Sequence, residues 1–366
     1  MLLTQFSLQD FRNIDSAHLT FKDGLNLIYG QNGSGKTSLL EGLCLLNSGR
    51  SFRSYYSDSM IRHDRLAMIL FAKLQNKDSL IKVGLQKHKS GKTRLRLNDT
   101  DVQQVSDIAS YLPVQVISPE SFSLIFDGPK ARRKFMDWGV FYISQEFHEL
   151  WLTTQRLLKQ RNILLKQSKS NEKEVSFWNH QLQACVQRVT DLREEYISSL
   201  NEALQGIIEL FIPAHLVEVS FYAGWDRKRS YIEALDAAYE RDRALGYTSI
   251  GPQKADIRLR IGRMSVQDVL SRGQLKLLVC ALRIAQGIIL KKQVNKSTLY
   301  LVDDLPSELD EYHRRLLLSK LLEIEAQILV TAIEPSLITD VLSQAPNTMF
   351  HVKHGQVTEV NMNSEK

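Results

Sequence analysis

The sequence predicts an α/β nucleotide-binding fold that is interrupted by a long α-helical segment. Residues 30–38 read G-Q-N-G-S-G-K-T-S and match the P-loop pattern G-x-x-x-x-G-K-[ST]. An apolar strand over 25–29 precedes this loop, and leucines at helical spacing follow it. Helical periodicity then dominates residues 122–211, and alternating strands and helices return in the last third of the chain.

The P-loop is the first candidate site. Its glycines let the backbone fold tightly around a polyphosphate, so that successive N–H groups and the N-terminus of the next helix point at it. Lys36 is expected to reach the β- and γ-phosphates, and the Thr37 hydroxyl to bind Mg²⁺. A plain glycine-rich turn is the alternative, but the strand, the spacing and the helix all favour a nucleotide site. The predicted nucleotide-binding residues are Gly30, Gln31, Asn32, Gly33, Ser34, Gly35, Lys36, Thr37 and Ser38.

The composition indicates a soluble globular protein. The 366 residues are 43% hydrophobic and 24% charged. The sequence has neither an uninterrupted apolar run of about 18 residues nor a charged leader with a cleavage site, so we expect a cytoplasmic protein. The net charge of +6 is a mild indication of an anionic partner. Three dispersed cysteines, Cys44, Cys185 and Cys280, are expected to be buried free thiols.

The N-terminal region is predicted to be rich in strands. Alternation indicates paired strands within 1–29, followed by strands over 68–74, 80–86, 93–98 and 113–117. The polar stretch 48–59 is either a nucleotide or DNA contact, through Arg50 or Arg53, or a surface loop. The later strands carry many cations, which form either a basic face or lysine-protected strand edges. These cations are Lys82, Lys87, Lys89, Lys92, Arg94 and Arg96.

Two long helices are predicted in the middle of the chain. One covers about 147–165 and the next, which apolar residues from Leu182 to Leu204 mark, runs to about Phe211, with a polar turn over 168–174 between them. A helix of about 35 residues is about 50 Å long, so the pair would form a short arm. The remaining predicted elements are strands over 217–221, 299–302, 328–331, 350–353 and 357–360, and helices over 230–243, 274–291 and 314–325.

A second group of motifs lies far from the P-loop in sequence. Residues 299–304, L-Y-L-V-D-D, form an apolar strand that ends in two acids, as a Walker B strand does. Asp303 is expected to hold Mg²⁺, and Asp304 to orient or deprotonate the attacking water. An ordinary strand followed by an acidic turn is the alternative, and the upstream P-loop favours Walker B.

The signature element, S-R-G-Q at 271–274, opens the helix that precedes this strand. Ser271, Gly273 and Gln274 at a helix N-terminus suit a γ-phosphate, although an ordinary N-cap at Ser271 is the simpler interpretation. The stretch S-E-L-D at 307–310 follows Walker B and also fits a capping box for the next helix. Thr331, at the end of the next strand, is a candidate γ-phosphate sensor.

These motifs follow one another in an order that resembles the ABC-type ATPase heads of SMC-like DNA-repair proteins. Within that group the chain is most similar to the bacterial RecF family. The resemblance spans nearly the whole chain and is most specific in S-P-E-S-F-S-L-I at 118–125 and D-G-P-K-A-R-R-K-F-M-D at 127–137. The other matching stretches are 8–14, 30–42, 50–53, 251–256 and 301–310. The chain departs from the usual family pattern at Lys254, Arg272, Leu275 and the pair Ile333 and Glu334.

The resemblance implies an α/β fold in which an ABC-type P-loop ATPase head with a mixed sheet carries an inserted α-helical arm, or lobe II. Residues 1–120 would form the head's P-loop part, 121–245 the arm, and 246–366 the head's second part, with the signature element and Walker B. The implied cofactors are ATP and Mg²⁺. A glutamine on the loop that connects the lobes is also implied, with Gln115 as the candidate.

The resemblance also implies a role in DNA repair, replication restart and the SOS response. Its implied activity is ATP-dependent binding of double-stranded DNA, gapped DNA or single-strand/double-strand junctions, with slow, DNA-stimulated ATP hydrolysis as a switch. The implied partners are RecR and RecO, which help to load recombinase at gaps. An ATP-dependent homodimer is expected, because each chain has one P-loop and one signature element, and in the ABC-type head these cannot reach the same nucleotide within one copy.

Basic residues at the start of the helical segment are the candidate DNA contacts. They either bind phosphates or only solvate the helices. A transport-associated ATPase and an SMC-like, ATP-dependent nuclease are the alternative functions, which co-purification with a membrane protein and degradation of DNA would respectively reveal. The candidate DNA contacts are Lys130, Arg132, Arg133, Lys134, Arg156, Lys159 and Arg161.

Overall fold

A computed structural model describes residues 1–53, 58–76, 78–167, 172–338 and 348–360. The chain divides into two compact units, one of Met1–Phe122 with Leu290–Lys366 and one of Ser123–Ile289. The strands are β1 Leu2–Phe11, β2 Ile14–Thr20, β3 Leu25–Tyr29, β4 Ala67–Gln75, β5 Leu80–His88, β6 Thr93–Leu97, β7 Thr100–Val102, β8 Val114–Ile117, β9 Glu218–Tyr222, β10 Asp256–Ile261, β11 Met264–Ser265, β12 Leu299–Val302, β13 Gln327–Ala332, β14 Thr348–Lys353 and β15 Gln356–Val360. The helices are α1 Lys36–Ser48, α2 Val105–Ala109, α3 Ser123–Phe126, α4 Pro129–Ile143, α5 Phe147–Leu165, α6 Glu172–Phe211, α7 Tyr231–Ala237, α8 Tyr239–Leu245, α9 Val266–Val269, α10 Arg272–Val294, α11 Leu305–Glu308 and α12 Glu311–Glu323.

The first unit contains a mixed sheet in the order β15-β14-β3-β13-β12-β8. The strands from β14 to β8 run parallel, and β15 pairs antiparallel at one edge. Strands β12 and β13 are buried along their whole length, as expected for the centre of a parallel sheet that is covered on both faces. The carboxyl ends of β3, β12 and β13 therefore meet at one edge of the sheet, where the P-loop, the acidic pair and Thr331 are placed.

The first unit also contains an antiparallel sheet in the order β2-β1-β4-β5-β6-β7. Its side chains alternate between a buried and a solvent-facing side. The buried side packs Phe6, Leu8, Leu70 and Leu85 into a core that also contains Leu39 of α1. This core fixes the start of α1 relative to the P-loop.

The second unit is built on the long helices α5 and α6 and a small sheet in the order β11-β10-β9. Helix α6 spans 40 residues and begins at Glu172, inside the stretch predicted as a polar turn. The predicted polar turn over 168–174 falls partly on residues 168–171, which lie outside the described residues. The predicted division of the chain at 245 falls within this unit, because β9 pairs with β10 across it.

Helix α10 is long and apolar enough to cross a membrane by length and composition alone. Most of its apolar window, 72%, is nevertheless buried within the protein, as in the core helix of a globular domain. The three cysteines are free thiols, but only Cys280, on this helix, is buried; Cys44 and Cys185 are partly exposed, which corrects the expectation of three buried thiols.

Candidate nucleotide-binding site

The P-loop backbone requires glycine at two positions. A side chain at Gly30 would place a Cβ atom 2.1 Å from the carbonyl oxygen of Val352, so the loop can pass β14 only without one. Gly35, just before α1, has a φ of +123°, which glycine adopts at little cost. The loop thus turns sharply between β3 and α1 and leaves the first N–H groups of α1 free of intrahelical partners.

Lys36 lies across this loop. Its Nζ atom donates to the carbonyl oxygens of Gly30, at 2.7 Å, and of Gln31, at 3.1 Å. The residue is only 7% exposed, and burial lowers the pKa of its ammonium group, while Asp304 and Asp303 act in the opposite direction. The amine is therefore held at the loop by weak, exchangeable bonds to carbonyl groups.

Asp303 is the centre of a hydrogen-bond network that joins the ends of β12 and β13 to the start of α1. Its Oδ1 atom accepts from the Thr37 hydroxyl at 3.0 Å and from the Thr331 hydroxyl at 2.8 Å. Burial raises the pKa of this carboxyl, and the two hydroxyl donors oppose the shift. The Thr331 hydroxyl also accepts from the backbone N–H of Asp304 at 2.7 Å. The ends of β12 and β13 and the start of α1 are thus linked through oxygen atoms that suit a hard cation.

Asp304 has a left-handed backbone conformation, with a φ of +49°. This uncommon conformation for a residue other than glycine turns the chain sharply out of β12 into α11. The Ser307 hydroxyl donates to the Asp304 carboxylate. Helix α12 is capped by Asp310, which accepts from the backbone N–H of His313 at 2.9 Å, so Ser307 is not the cap that the sequence suggested.

A cleft of about 730 Å³ contains most of these groups and lies within the first unit. Two residues of the β1–β2 turn, to which the sequence gave no role, also line it. Asn13 accepts from the Ser38 hydroxyl at 3.1 Å and donates to the Ser34 carbonyl at 3.1 Å, while Arg12 forms a salt bridge with the buried Glu41. The full lining is Arg12, Asn13, Asn32, Gly33, Gly35, Lys36, Thr37, Ser38, Arg53, Ser59, Ile61, His63, Lys89, Pro119, Glu120, Asp303, Asp304 and Thr331.

The cleft fits a magnesium nucleotide. The buried Ser34 hydroxyl has no hydrogen-bond partner within the described part of the chain. Among those residues no group of three or more histidines, cysteines or acids could hold a metal, so a cation would depend on Thr37, Asp303 and oxygen atoms of its ligand. Arg53 lines the cleft, whereas Gln115 is buried within β8 and does not.

The signature element lies in the second unit, at the start of α10. Ser271 and Gln274 form a reciprocal capping box, because the Ser271 hydroxyl accepts from the Gln274 N–H and the Gln274 side chain accepts from the Ser271 N–H. Gly273 is exposed, and an added Cβ atom would meet no atom nearer than 4.0 Å. No contact among the residues that the structure describes therefore explains a glycine at this position, whereas the capping box explains Ser271.

The basic candidates for DNA contacts divide into two groups. Lys130 and Lys134 on α4 and Arg156 and Lys159 on α5 are exposed. Arg161 is completely buried, with an ion pair to Asp242 at 2.8 Å, so it cannot meet a phosphate without unfolding of its surroundings.

Arg132 and Arg133 on α4 are also engaged within the second unit. Arg132 is paired bidentately with Asp256, and Arg133 donates to the Ala255 carbonyl. Burial lowers the pKa of Arg133. Together with Arg161, these two residues are removed from the predicted DNA contacts.

Comparison with known proteins agrees with this geometry. The family model described as RecF/RecN/SMC N terminal domain matches residues 2–358. Two proteins named DNA replication and repair protein RecF, from Shewanella loihica and Shewanella piezotolerans, are each 52% identical over 360 residues, covering 98% of this chain and all of the relative.

Solved structures show the same fold. A structure of the recombination mediator protein RecF with ATP, described as part of the RecFOR pathway, matches with a TM-score of 0.87 at 23% identity over 98% of both chains. An Smc head bound to the C-winged helix domain of ScpA matches with a TM-score of 0.61 at 13% identity over 99% of this chain and 98% of that one. These matches confirm the predicted ABC-type α/β head. The chain belongs to the RecF family of DNA replication and repair proteins.

Proposed function

We propose that this protein is an ATP-dependent DNA-binding protein of recombinational repair and replication restart. The observation that carries the proposal is the convergence of Lys36, Thr37, Asp303, Asp304 and Thr331 in one cleft of a RecF-family chain. The solved relative with ATP supports ATP as the nucleotide. Slow hydrolysis would then act as a switch on DNA binding.

The cleft residues have separate roles in this proposal. Magnesium-bound ATP supplies a phosphoanhydride bond whose hydrolysis is strongly favourable. Lys36 exchanges its two carbonyl partners for phosphate oxygens, which a cation binds more strongly. Thr37 and Asp303 supply oxygen ligands to Mg²⁺, Asp304 orients or deprotonates the attacking water, and Thr331 holds both acids in position through its hydroxyl.

The DNA contacts proposed here are the exposed cations Lys130, Lys134, Arg156 and Lys159 on α4 and α5. The RecFOR pathway of the solved relative supports RecR and RecO as partners in loading recombinase at gaps. Gapped duplex DNA is the proposed substrate, and the cytoplasm is the proposed location, with a further role in the SOS response.

Binding of a labelled gapped duplex with ATP, with ADP and without nucleotide tests the function. We expect the tightest binding with ATP, because only ATP provides the γ-phosphate that Lys36 and the signature element would bind. Lys36→Met is the control and should bind DNA equally under all three conditions. Equal affinity of the wild-type protein in all three conditions would remove the switch.

A further inference from the structure

The solvent-facing side of the antiparallel sheet in the first unit is basic, and edge protection does not explain it. Lysines often occur on edge strands, where they prevent pairing with other chains. Here the edges are β2 and β7, whereas Lys73 lies on β4 and Lys82 on β5, two interior strands. Of the two interpretations of these cations, a basic face or lysine-protected strand edges, the basic face is therefore the one that fits Lys73 and Lys82.

Lys73 and Lys82 lie directly opposite each other in the register of β4 and β5. Like charges in such a cross-strand pair destabilise a sheet. On the other side of Lys73, the partner in β1 is the uncharged Gln5. The outward positions of β1, β4 and β5, which are all described, contain no carboxylate. The sheet thus keeps an unfavourable pair of ammonium groups that nothing on these strands neutralises.

An aromatic ring lies in the next row of the same face. Phe71 on β4 is paired with Ser7 on one side and Gly84 on the other, and Gly84 is in turn paired with Arg96. Because serine is small and glycine has no side chain, the ring is not covered by its cross-strand neighbours and is partly exposed. Ile69, two residues away on the same side, is 42% exposed.

We propose that this face, formed by Phe71, Lys73 and Lys82, binds a single-stranded segment of DNA; Arg96 beside it is held by Asp101, at 3.5 Å, and is not counted among the phosphate contacts. Bases stack on exposed aromatic rings in sequence-tolerant single-strand sites, and cations alongside contact the phosphates. The ring lies one row from the lysine pair, about 7 Å along the strand. A duplex would not present its bases to the ring, so the aromatic residue favours a single strand. The inference rests on the proposed DNA-binding function and adds a surface for the unpaired part of a gap.

Binding of a fluorescent oligo-dT to the full chain, with ATP and Mg²⁺, tests the proposal. Phe71→Ala should weaken binding about fivefold or more, since loss of one stacked base has an effect of this size. Phe71→Trp should restore the affinity, and its fluorescence should be quenched by the oligonucleotide. Contacts to two phosphates, by Lys73 and Lys82, would give a log–log salt slope of about −1.4 for a single strand, from about 0.7 per phosphate.

Lys82→Glu separates a binding role from a structural one. It replaces the like-charge pair with an attractive one, so the variant should melt at a higher temperature and yet bind oligo-dT more weakly. A purely structural lysine would change the two properties in the same direction or leave binding unaffected. Lys228→Glu is the matched control, because it is an exposed lysine in the second unit with the same change of charge.

The outcomes distinguish this inference from the proposed function. Unchanged oligo-dT affinity in both Phe71→Ala and Lys82→Glu, with ATP-dependent duplex binding intact, would overturn the single-strand surface alone. If the wild-type protein bound neither duplex DNA nor oligo-dT, both the single-strand surface and the proposed DNA-binding function would be overturned. ATP affinity of each variant, measured in parallel, should equal that of the wild type, because none of these residues lines the nucleotide cleft.

Discussion

At the scale of single residues, Lys36 and Asp303 are both removed from water, and in each case burial favours the neutral form. Lys36→Met removes the cation that would face the β- and γ-phosphates, so we expect it to abolish tight ATP binding. Asp303→Asn keeps the size of the side chain and should retain binding but stop hydrolysis. Fluorescent-nucleotide binding and phosphate release measure the two effects, and wild-type hydrolysis in either variant would contradict the site.

Asp303 also predicts how stability depends on pH. Because the folded-state pKa of this carboxyl is raised above its ordinary value of 3.8, the folded state holds its proton more tightly than the unfolded state. Its contribution to stability is therefore lost as the pH rises from about 4 through the folded-state pKa. Asp303→Asn should melt at or above the wild-type temperature at pH 7, and the difference should shrink towards pH 4. If Asp303→Asn were instead less stable than the wild type at pH 7, the hydrogen bonds to the Asp303 carboxylate would outweigh the cost of burying its charge.

At the scale of elements, the close packing of α4 and α6 depends on Gly139. A Cβ atom there would lie 2.1 Å from the Tyr196 ring, and the Tyr196 hydroxyl is fixed by a 2.7 Å bond from Gln286. We expect Gly139→Ala to destabilise the protein by about 1–3 kcal/mol, as overpacking of a core does. Urea denaturation measures the change.

Gly206→Ala is the control for that substitution. Gly206 lies on α6, with nothing within 4 Å of an added Cβ atom. Alanine there should stabilise the protein by about 0.5–1 kcal/mol, because glycine is the poorer helix residue. If both substitutions changed the free energy of unfolding in the same direction, the close contact at Gly139 would not limit the packing.

The buried Arg161 connects α5 to three other parts of the second unit. Its guanidinium donates to Asn179 of α6, Asp242 of α8 and Thr248, each at 2.8 Å. Arg161→Ala should destabilise the protein by about 3–5 kcal/mol, because it leaves the Asp242 carboxylate buried without its charge partner. Arg156→Ala, one turn away and exposed, should be within about 0.5 kcal/mol of the wild type. If thermal unfolding showed the same loss of stability in both variants, the burial of Arg161 would be contradicted.

The same residues explain which elements the sequence could predict. The central strands β12 and β13 were predicted from unbroken apolar runs, because both of their faces are covered. The first residues of α6 were predicted as part of a polar turn, because Lys173 and Glu174 are charged and exposed although they are helical. Arg161 was predicted to be a surface cation because its ion-pair partner, Asp242, is 81 residues away in the sequence.

The nucleotide cleft shows a similar limit. The P-loop and the acidic pair are local motifs, and their spacing predicted Lys36, Thr37 and Asp303 together. The role of Asn13 depends on contacts with Ser34 and Ser38, which are more than twenty residues away. The pairing of β9 with β10, which unites the second unit beyond residue 245, is likewise a contact at long range.

At the scale of the whole molecule, the nucleotide cleft lies in the first unit and the signature element in the second. We predict that ATP makes the protein dimerise, with Ser271 and Gly273 of each copy reaching the γ-phosphate held by the P-loop of the other. We expect a two-fold symmetric, self-complementary interface, which would close two sites at once and would not extend into a filament. ATP favours the dimer by its differential affinity for that state, and loss of the γ-phosphate removes the link.

Ser271→Arg tests this arrangement because it places a bulky side chain where the partner's nucleotide would lie. Ser271 is exposed, and the loss of an N-cap costs only about 1 kcal/mol, so the second unit should still fold. Nucleotide binding to the monomer should be unchanged, whereas association should be lost. Ser271→Asp is the matched control for the N-cap, since aspartate keeps the cap but repels a phosphate, and it should also remain monomeric. Sedimentation at micromolar protein with ATP and Mg²⁺ decides the matter: a wild-type protein that stays monomeric, or a Ser271→Arg variant that dimerises as well as the wild type, would show that ATP does not bridge two copies through the signature element.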